Sequence, residues 1–328
     1  MKNFKVNSIF YLPLIFSVLI GYCYLALLGC GVKSNSFYFP ALGLNDGRII
    51  ILNSITTPVQ HTAAMYTLDG EFISVIADTS SDGQAVRGLA LFDGANVVVS
   101  TDGPDQLNLL NIYTGALTLY ASNLQFTGNI YGVWRGIEGT YYAAESNTVE
   151  KFVNTQRIPV SGATPYVTTP ITTGSETCTI ATARGITITV AGHLVVASNG
   201  NDDINIYDIS GESSATCFEA YQGFGAAVNP IDVYGHSNGN IYITGNGDDT
   251  IYEATDENPM VPSSIFNNLG IIDNPIAIAE LPNGNLIVAS DIHDAIVEIT
   301  TTGTVVNASF IKDAFTNSVQ DIIIIPPQ

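Results

Sequence analysis

"NPIAIAELPNGNLIVASD", Asn274 to Asp291, holds two short apolar strands joined by an Asn-Gly-Asn turn. About 45 residues earlier, Asn229 to Asn246 reads "NPIDVYGHSNGNIYITGN", with the same Asn-Pro start, the same turn and a similarly apolar second strand. Working outward, the unit recurs as "VRGLALFDGANVVVSTDG" from Val86, "IYGVWRGIEGTYYAAESN" from Ile130 and "ARGITITVAGHLVVASNG" from Ala183. Its turn glycines are Gly94, Gly139, Gly192, Gly239 and Gly284. A near-constant period of this size marks supersecondary units that stack in a line or around an axis.

One further half-unit decides between line and ring. "RIIILNS" after Gly47 reads as a second strand without a first, and "VQDIIIIPPQ", Val319 to Gln328, as a first strand with nothing after it. Placing the C-terminal strand before the N-terminal one completes a sixth unit. This is the velcro closure of a ring, which covers the last open sheet edge; a solenoid would need capping repeats instead. "LIVAS", "IYITG", "LVVAS" and "VVVS" are nearly unbroken apolar runs, as where both strand faces are covered. "INIYDI", "TIYEA" and "AIVEI" alternate, as nearer a rim. The expectation is an all-β fold: a six-bladed β-propeller over residues 46–328, its N-terminal blade completed by the C-terminal strand.

Before that region, Lys2 and Lys5 precede an almost wholly apolar run, Ile9 to Leu28, long enough to cross a bilayer. It ends in Leu27-Leu28-Gly29-Cys30, which resembles the lipobox of bacterial lipoproteins. The resemblance implies a signal peptide over 1–29, lipidation at Cys30, a short tether over 30–45, and attachment to the bacterial cell envelope by a lipid anchor alone. By the same analogy Gly31, where an Asp would retain the protein inside, points to the outer membrane, on its periplasmic or surface side. Two or three acyl chains hold a protein stably where one does not. The alternatives are an uncleaved transmembrane anchor and an ordinary signal peptide.

The formal net charge of −20 becomes about −22 without Lys2 and Lys5. That excess argues against nucleic acid and anionic lipid as partners, since both need clustered Lys and Arg. Of the four cysteines, Cys23 lies in the leader and Cys30 is the lipid site. Cys178 and Cys217 are left as an even pair in an oxidising compartment, either bridged or as two buried thiols.

"LIVASDIHDAIVEITTTG" and "LVVASNGNDDINIYDISG" resemble NHL-type and YVTN-type repeats: apolar strand, Asp/Asn turn, a strand ending in an aromatic or acidic residue, then Gly. The resemblance spans nearly all of 46–328 and implies the fold more than an activity. Propellers of this kind include RNA binders, protein binders and, more remotely, lyases and lactonases. The RNA binders use basic faces, which this chain lacks.

In a propeller the loops entering each inner strand share one face with the turns between second and third strands. The entry positions read Arg87, Tyr131, Arg184, Asn229, Asn274 and Gln320, a candidate ligand-binding ring at the channel mouth. Arg87 and Arg184 stand there at matching positions, each followed by Gly; a guanidinium fork suits a carboxylate or phosphate. The competing role is structural, with each Arg paired to a nearby Asp. The second-to-third turns carry Asp102 and Asp105, Asp202 and Asp203, Asp248 and Asp249, Asp291 and Asp294. Such oxygens suit calcium, but neighbouring blades diverge, no turn has the D-x-[DN]-x-[DN]-G pattern, and Asp is an ordinary turn residue.

Six-bladed lactonases of the gluconolactonase type, which the chain resembles in outline, hold a divalent metal in the channel with a Glu, an Asn and an Asp. The resemblance implies Asp321 in place of the Glu, Asp232 as second carboxylate, and Asn229 or Asn274 as the amide. His61, His193, His236 and His293 lack metal spacing and read as solvated turn residues; Trp134 reads as packing between blades. The functional expectation is a monomeric envelope lipoprotein whose loop face binds a protein, a glycan or a small ligand, with no cofactor and no assigned catalytic residue. The alternatives are a lactonase-like hydrolase or lyase using one divalent metal, calcium or similar, and a structural spacer in an envelope assembly.

Overall fold

The computed structural model describes residues 46–327 apart from 57–58, 80–84, 103–104, 122–125, 127, 137–138, 154–155, 159–164, 226 and 314. The leader, Cys30 and the tether lie outside the described residues. Within them every regular element is a strand, and six sheets of four strands follow one another along the chain. The fold is a six-bladed β-propeller. Blades 2 to 6 begin with inner strands Ala85–Leu91, Ile130–Arg135, Ala183–Ile188, Pro230–Gly235 and Pro275–Glu280. Each inner strand packs on the next around a closed ring.

Blade 1 closes that ring as the sequence predicts. Its inner strand is Val319–Ile325, paired antiparallel with Arg48–Thr56, so that Ile322 faces Ile51, Ile323 faces Ile50 and Ile324 faces Ile49. The unbroken apolar run Ile49–Leu52 is wholly buried, because a blade packs on each of its faces. The core lies between blades: Val195, Ala197, Ile204 and Ile206 of blade 4 pack against Val233, Ile241 and Ile243 of blade 5. A short hairpin, Ile171–Thr173 with Glu176–Cys178, precedes blade 4. A Cys178–Cys217 disulfide ties it to that blade's outer strand, Thr216–Tyr221. Closing a loop of 39 residues contributes about 3–4 kcal/mol in the chain-entropy account.

One local feature sets up the channel mouth. Near its start each inner strand slips register against its neighbour, between Val86 and Leu89, Ile130 and Val133, Ala183 and Ile186, Pro230 and Val233, and Pro275 and Ala277. In blade 1 the slip falls at Gln320, between Val319 and Asp321. A bulge adds an unpaired residue and re-aims its side chain, here six times around one axis.

Candidate functional site

The bulges bring Arg87, Tyr131, Arg184, Ile231, Ile276 and Gln320 to one level around the axis, where a cavity of about 270 Å³ opens. Arg87, Tyr131, Arg184, Asn274 and Gln320 of the expected ring line it. Asn229 does not; it is exposed in the entry turn. In blades 5 and 6 the mouth positions belong to Ile231 and Ile276, two residues after each Asn. Asn229 and Asn274 have φ of +47° and +51° and make the turn into the strand. Their backbone N–H groups donate to Asp202 Oδ1 and Asp249 Oδ1 of the preceding blade, each at 2.7 Å. Those two turn acids are therefore engaged in joining blades.

The cationic wall comes from blades 2 to 4. Arg87 donates to Asp102 Oδ2 at 2.9 Å and to Gln320 Oε1 at 2.8 Å, which is the structural pairing weighed above. Arg184 differs. Its guanidinium carbon lies 3.9 Å from the centre of the Tyr131 ring, and its buried Nε has no hydrogen-bond partner. Burial lowers its pKa from the ordinary value, yet a guanidinium stays charged. A cation over an aromatic face, on a cavity wall and without an ion-pair partner among the described residues, is suited to an incoming anionic group.

The floor carries both carboxylates expected in the channel. Asp232 Oδ1 accepts from Val233 N–H and Oδ2 from Ile278 N–H, each at 2.9 Å. Asp321 repeats the arrangement, with Ile322 N–H at 2.7 Å and Leu89 N–H at 2.6 Å. Burial pushes the Asp232 carboxyl up to about 7, against the pull of its two amide donors. Burial, then the charge of Asp232, raises Asp321 well above the usual carboxylate range. Three residues beyond the mouth level, the Trp134 ring of blade 3 meets the Tyr234 ring of blade 5 edge to face at 5.6 Å. That contact joins two blades that are not neighbours, so Trp134 packs between blades, as expected, but across the axis.

The histidines need correction. His61 is buried in a strand, with Ser54 Oγ 2.9 Å from its Nδ1. His236 is buried with Nε2 3.1 Å from Gly284 O, and His193 Nδ1 lies 2.8 Å from Asp256 Oδ1. These three tie strands or neighbouring blades together; His293 does sit in a turn, but half-buried and with Nε2 2.9 Å from Leu269 O. Among the described residues no group of three or more His, Cys, Asp and Glu side chains is placed to hold a metal. Sequence reasoning missed Asp291, Ile231 and Ile276 as lining residues. The signal available for the two isoleucines was the fixed offset from the positive-φ Asn.

No family model matches the chain, and no curated protein matches it in sequence. Solved structures match it in fold. One chain of a nidogen/laminin complex superposes with a TM-score of 0.63 at 11% identity, covering 86% of this chain and 99% of that one. A putative 6-phosphogluconolactonase from Bacteroides fragilis gives 0.56 at 10% identity, covering 88% and 100%. A catalytically inactive virginiamycin B lyase from Staphylococcus aureus with quinupristin gives 0.53 at 16% identity, covering 70% and 71%. The chain shares the propeller fold with all three.

Proposed function

We propose that the protein is a lipid-anchored, NHL-like propeller of the bacterial cell envelope that binds a small acid-bearing ligand at its channel mouth. Arg184 carries the reading: a cation on the cavity wall, stacked on Tyr131, with no ion-pair partner among the described residues. An arriving carboxylate or phosphate supplies the missing opposite charge, and the stack holds the fork in place so that little side-chain freedom is lost on binding. The size of the cavity, about 270 Å³, favours a small ligand over a protein or a glycan chain. The Leu27–Cys30 motif supports the envelope tether.

The test is a thermal-shift screen of small carboxylates and phosphates on the full-length chain in detergent, beside Arg184→Gln. Acid-bearing compounds raise the midpoint of the wild type and not of the variant. If none shifts the wild type, the reading is lost. Mass analysis of the processed chain, with Cys30→Ser as control, tests the anchor.

A second reading, a metal-dependent lactonase-like hydrolase or lyase, is favoured by Asp232 and Asp321 on the cavity floor. The residues present do not fit a resident divalent ion well. Every oxygen of the two carboxylates already accepts a backbone N–H, and no third acidic, His or Cys side chain joins them among the described residues. Metal analysis of the purified chain separates the two readings.

A further inference from the structure

Blade 2 neutralises itself at the channel mouth, where Arg87 meets Asp102 at 2.9 Å. Strand pairing gives the corresponding positions in other blades. Val86 stands opposite Thr101, Ala183 opposite Ser198, and Pro275 opposite Ser290. The residues that follow are therefore equivalent: Arg87, Arg184 and Ile276 on the inner strands, and Asp102, Asn199 and Asp291 after the second strands. Blade 4 keeps the cation and replaces the acid by Asn199. Blade 6 keeps the acid and replaces the cation by Ile276. Arg184 and Asp291 both line the cavity, and neither has an ion-pair partner among the described residues.

We infer that the cavity takes a small zwitterion of α-amino-acid size, its carboxylate on Arg184, its ammonium on Asp291 and its aliphatic part against Ile231, Ile276 and Val319. The inference rests on the reading of Arg184 as an anion site. Each charge is partly desolvated with no ion-pair partner in the free protein, so a ligand carrying both opposite charges offsets both costs at once. A ligand with only an acid group leaves Asp291 beside an unmatched apolar wall.

The experiment is calorimetric titration of the full-length chain in detergent with the twenty amino acids. Each that binds is then compared with the acid lacking its amino group. At least one amino acid binds, and removing the amino group weakens it by about tenfold or more. Asp291→Asn erases that difference while leaving the desamino acid unaffected. Ile276→Arg, which rebuilds the blade 2 pair in blade 6, erases it too; unfolding curves establish that both variants are folded. If desamino acids bind as tightly as amino acids, or only non-zwitterionic acids bind, the zwitterion is overturned while the anion site stands. If neither kind binds, both fall. Retention of the amino-group preference in both variants also overturns the assignment to Asp291.

Discussion

The two halves of the channel mouth use one backbone ring in different ways. Blades 2 to 4 present Arg87-Gly88, Tyr131-Gly132 and Arg184-Gly185; blades 5, 6 and 1 present Ile231-Asp232, Ile276-Ala277 and Gln320-Asp321. In the first half neighbouring inner strands nearly touch. A Cβ on Gly88 would stand 2.3 Å from Tyr131 O, and one on Gly132 2.4 Å from Arg184 O. In the second half carboxylates span the joint: Asp232 accepts from Ile278 N–H of blade 6, and Asp321 from Leu89 N–H of blade 2. Glycine lets strands meet directly beneath Arg87, Tyr131 and Arg184, whereas aspartate bridges them beneath the uncharged Ile231 and Gln320. The cavity thereby acquires a cationic, aromatic wall facing an aliphatic, acidic one.

Breaking the acidic half has the largest expected effect. Asp321→Ala strands the amides of Ile322 and Leu89, and an unsatisfied buried donor costs about 1–3 kcal/mol, so a loss of about 3 kcal/mol is expected in urea unfolding. A loss below about 1 kcal/mol would mean that the carboxylate does not join the blades. Next comes the glycine half: Gly132→Ala forces a Cβ against a backbone oxygen and costs about 2 kcal/mol, within the usual range for overpacking. Ala277→Gly, in the other half, loses only about 0.5–1 kcal/mol through chain entropy. Equal costs at the two positions would erase the distinction between halves.

Titration sharpens the same contrast. Asp232 and Asp321 bind protons more tightly folded than unfolded, because burial raises both. Their contribution to stability is complete below the ordinary carboxylate pKa, near pH 4, and is lost as pH rises toward the raised folded value, about 7 for Asp232. The wild-type unfolding midpoint therefore carries a falling component between about pH 4 and 7. Asp232→Asn removes its share, and a variant confined to the glycine half, such as Gly88→Ala, keeps the wild-type slope. An unchanged slope in Asp232→Asn would place the proton elsewhere.

The ring was legible in the sequence because its signals are local and repeated. Apolar second strands, Asn-Gly turns and the orphan strand Val319–Ile325 each report a nearest-neighbour constraint that recurs in every blade. The mouth was half legible. Arg87, Tyr131 and Arg184 stand out because bulky residues before glycine are conspicuous, and Gln320 follows from the closure. Blade 5 was read two residues early, at Asn229; in blade 6 Asn274 does line the cavity, but the bulged position is Ile276. A bulge changes which residue faces the axis without changing the apolar pattern, so periodicity does not reveal it. The mismatch between Arg184 and Asp291 was beyond spacing altogether, since it appears only when equivalent positions of separate blades are set around one cavity.

The smallest effects concern the two arginines, which occupy equivalent positions with opposite consequences. The Arg87–Asp102 pair is about a quarter exposed, 26% and 24%, so solvent screens it and a double-mutant cycle should return about 0.5–1 kcal/mol of coupling. Arg184 gains about 0.5–1 kcal/mol from its stack on Tyr131. It loses about 1–3 kcal/mol through its buried, unsatisfied Nε. Replacing it with a side chain of similar reach and no donor, Arg184→Met, should leave the free protein as stable or slightly more so while removing ligand binding. Residues kept at a cost to stability are kept for what they bind. A loss of more than about 1 kcal/mol in Arg184→Met would instead make this arginine a second structural joint like Arg87, and the cationic wall would lose its one group available to a ligand.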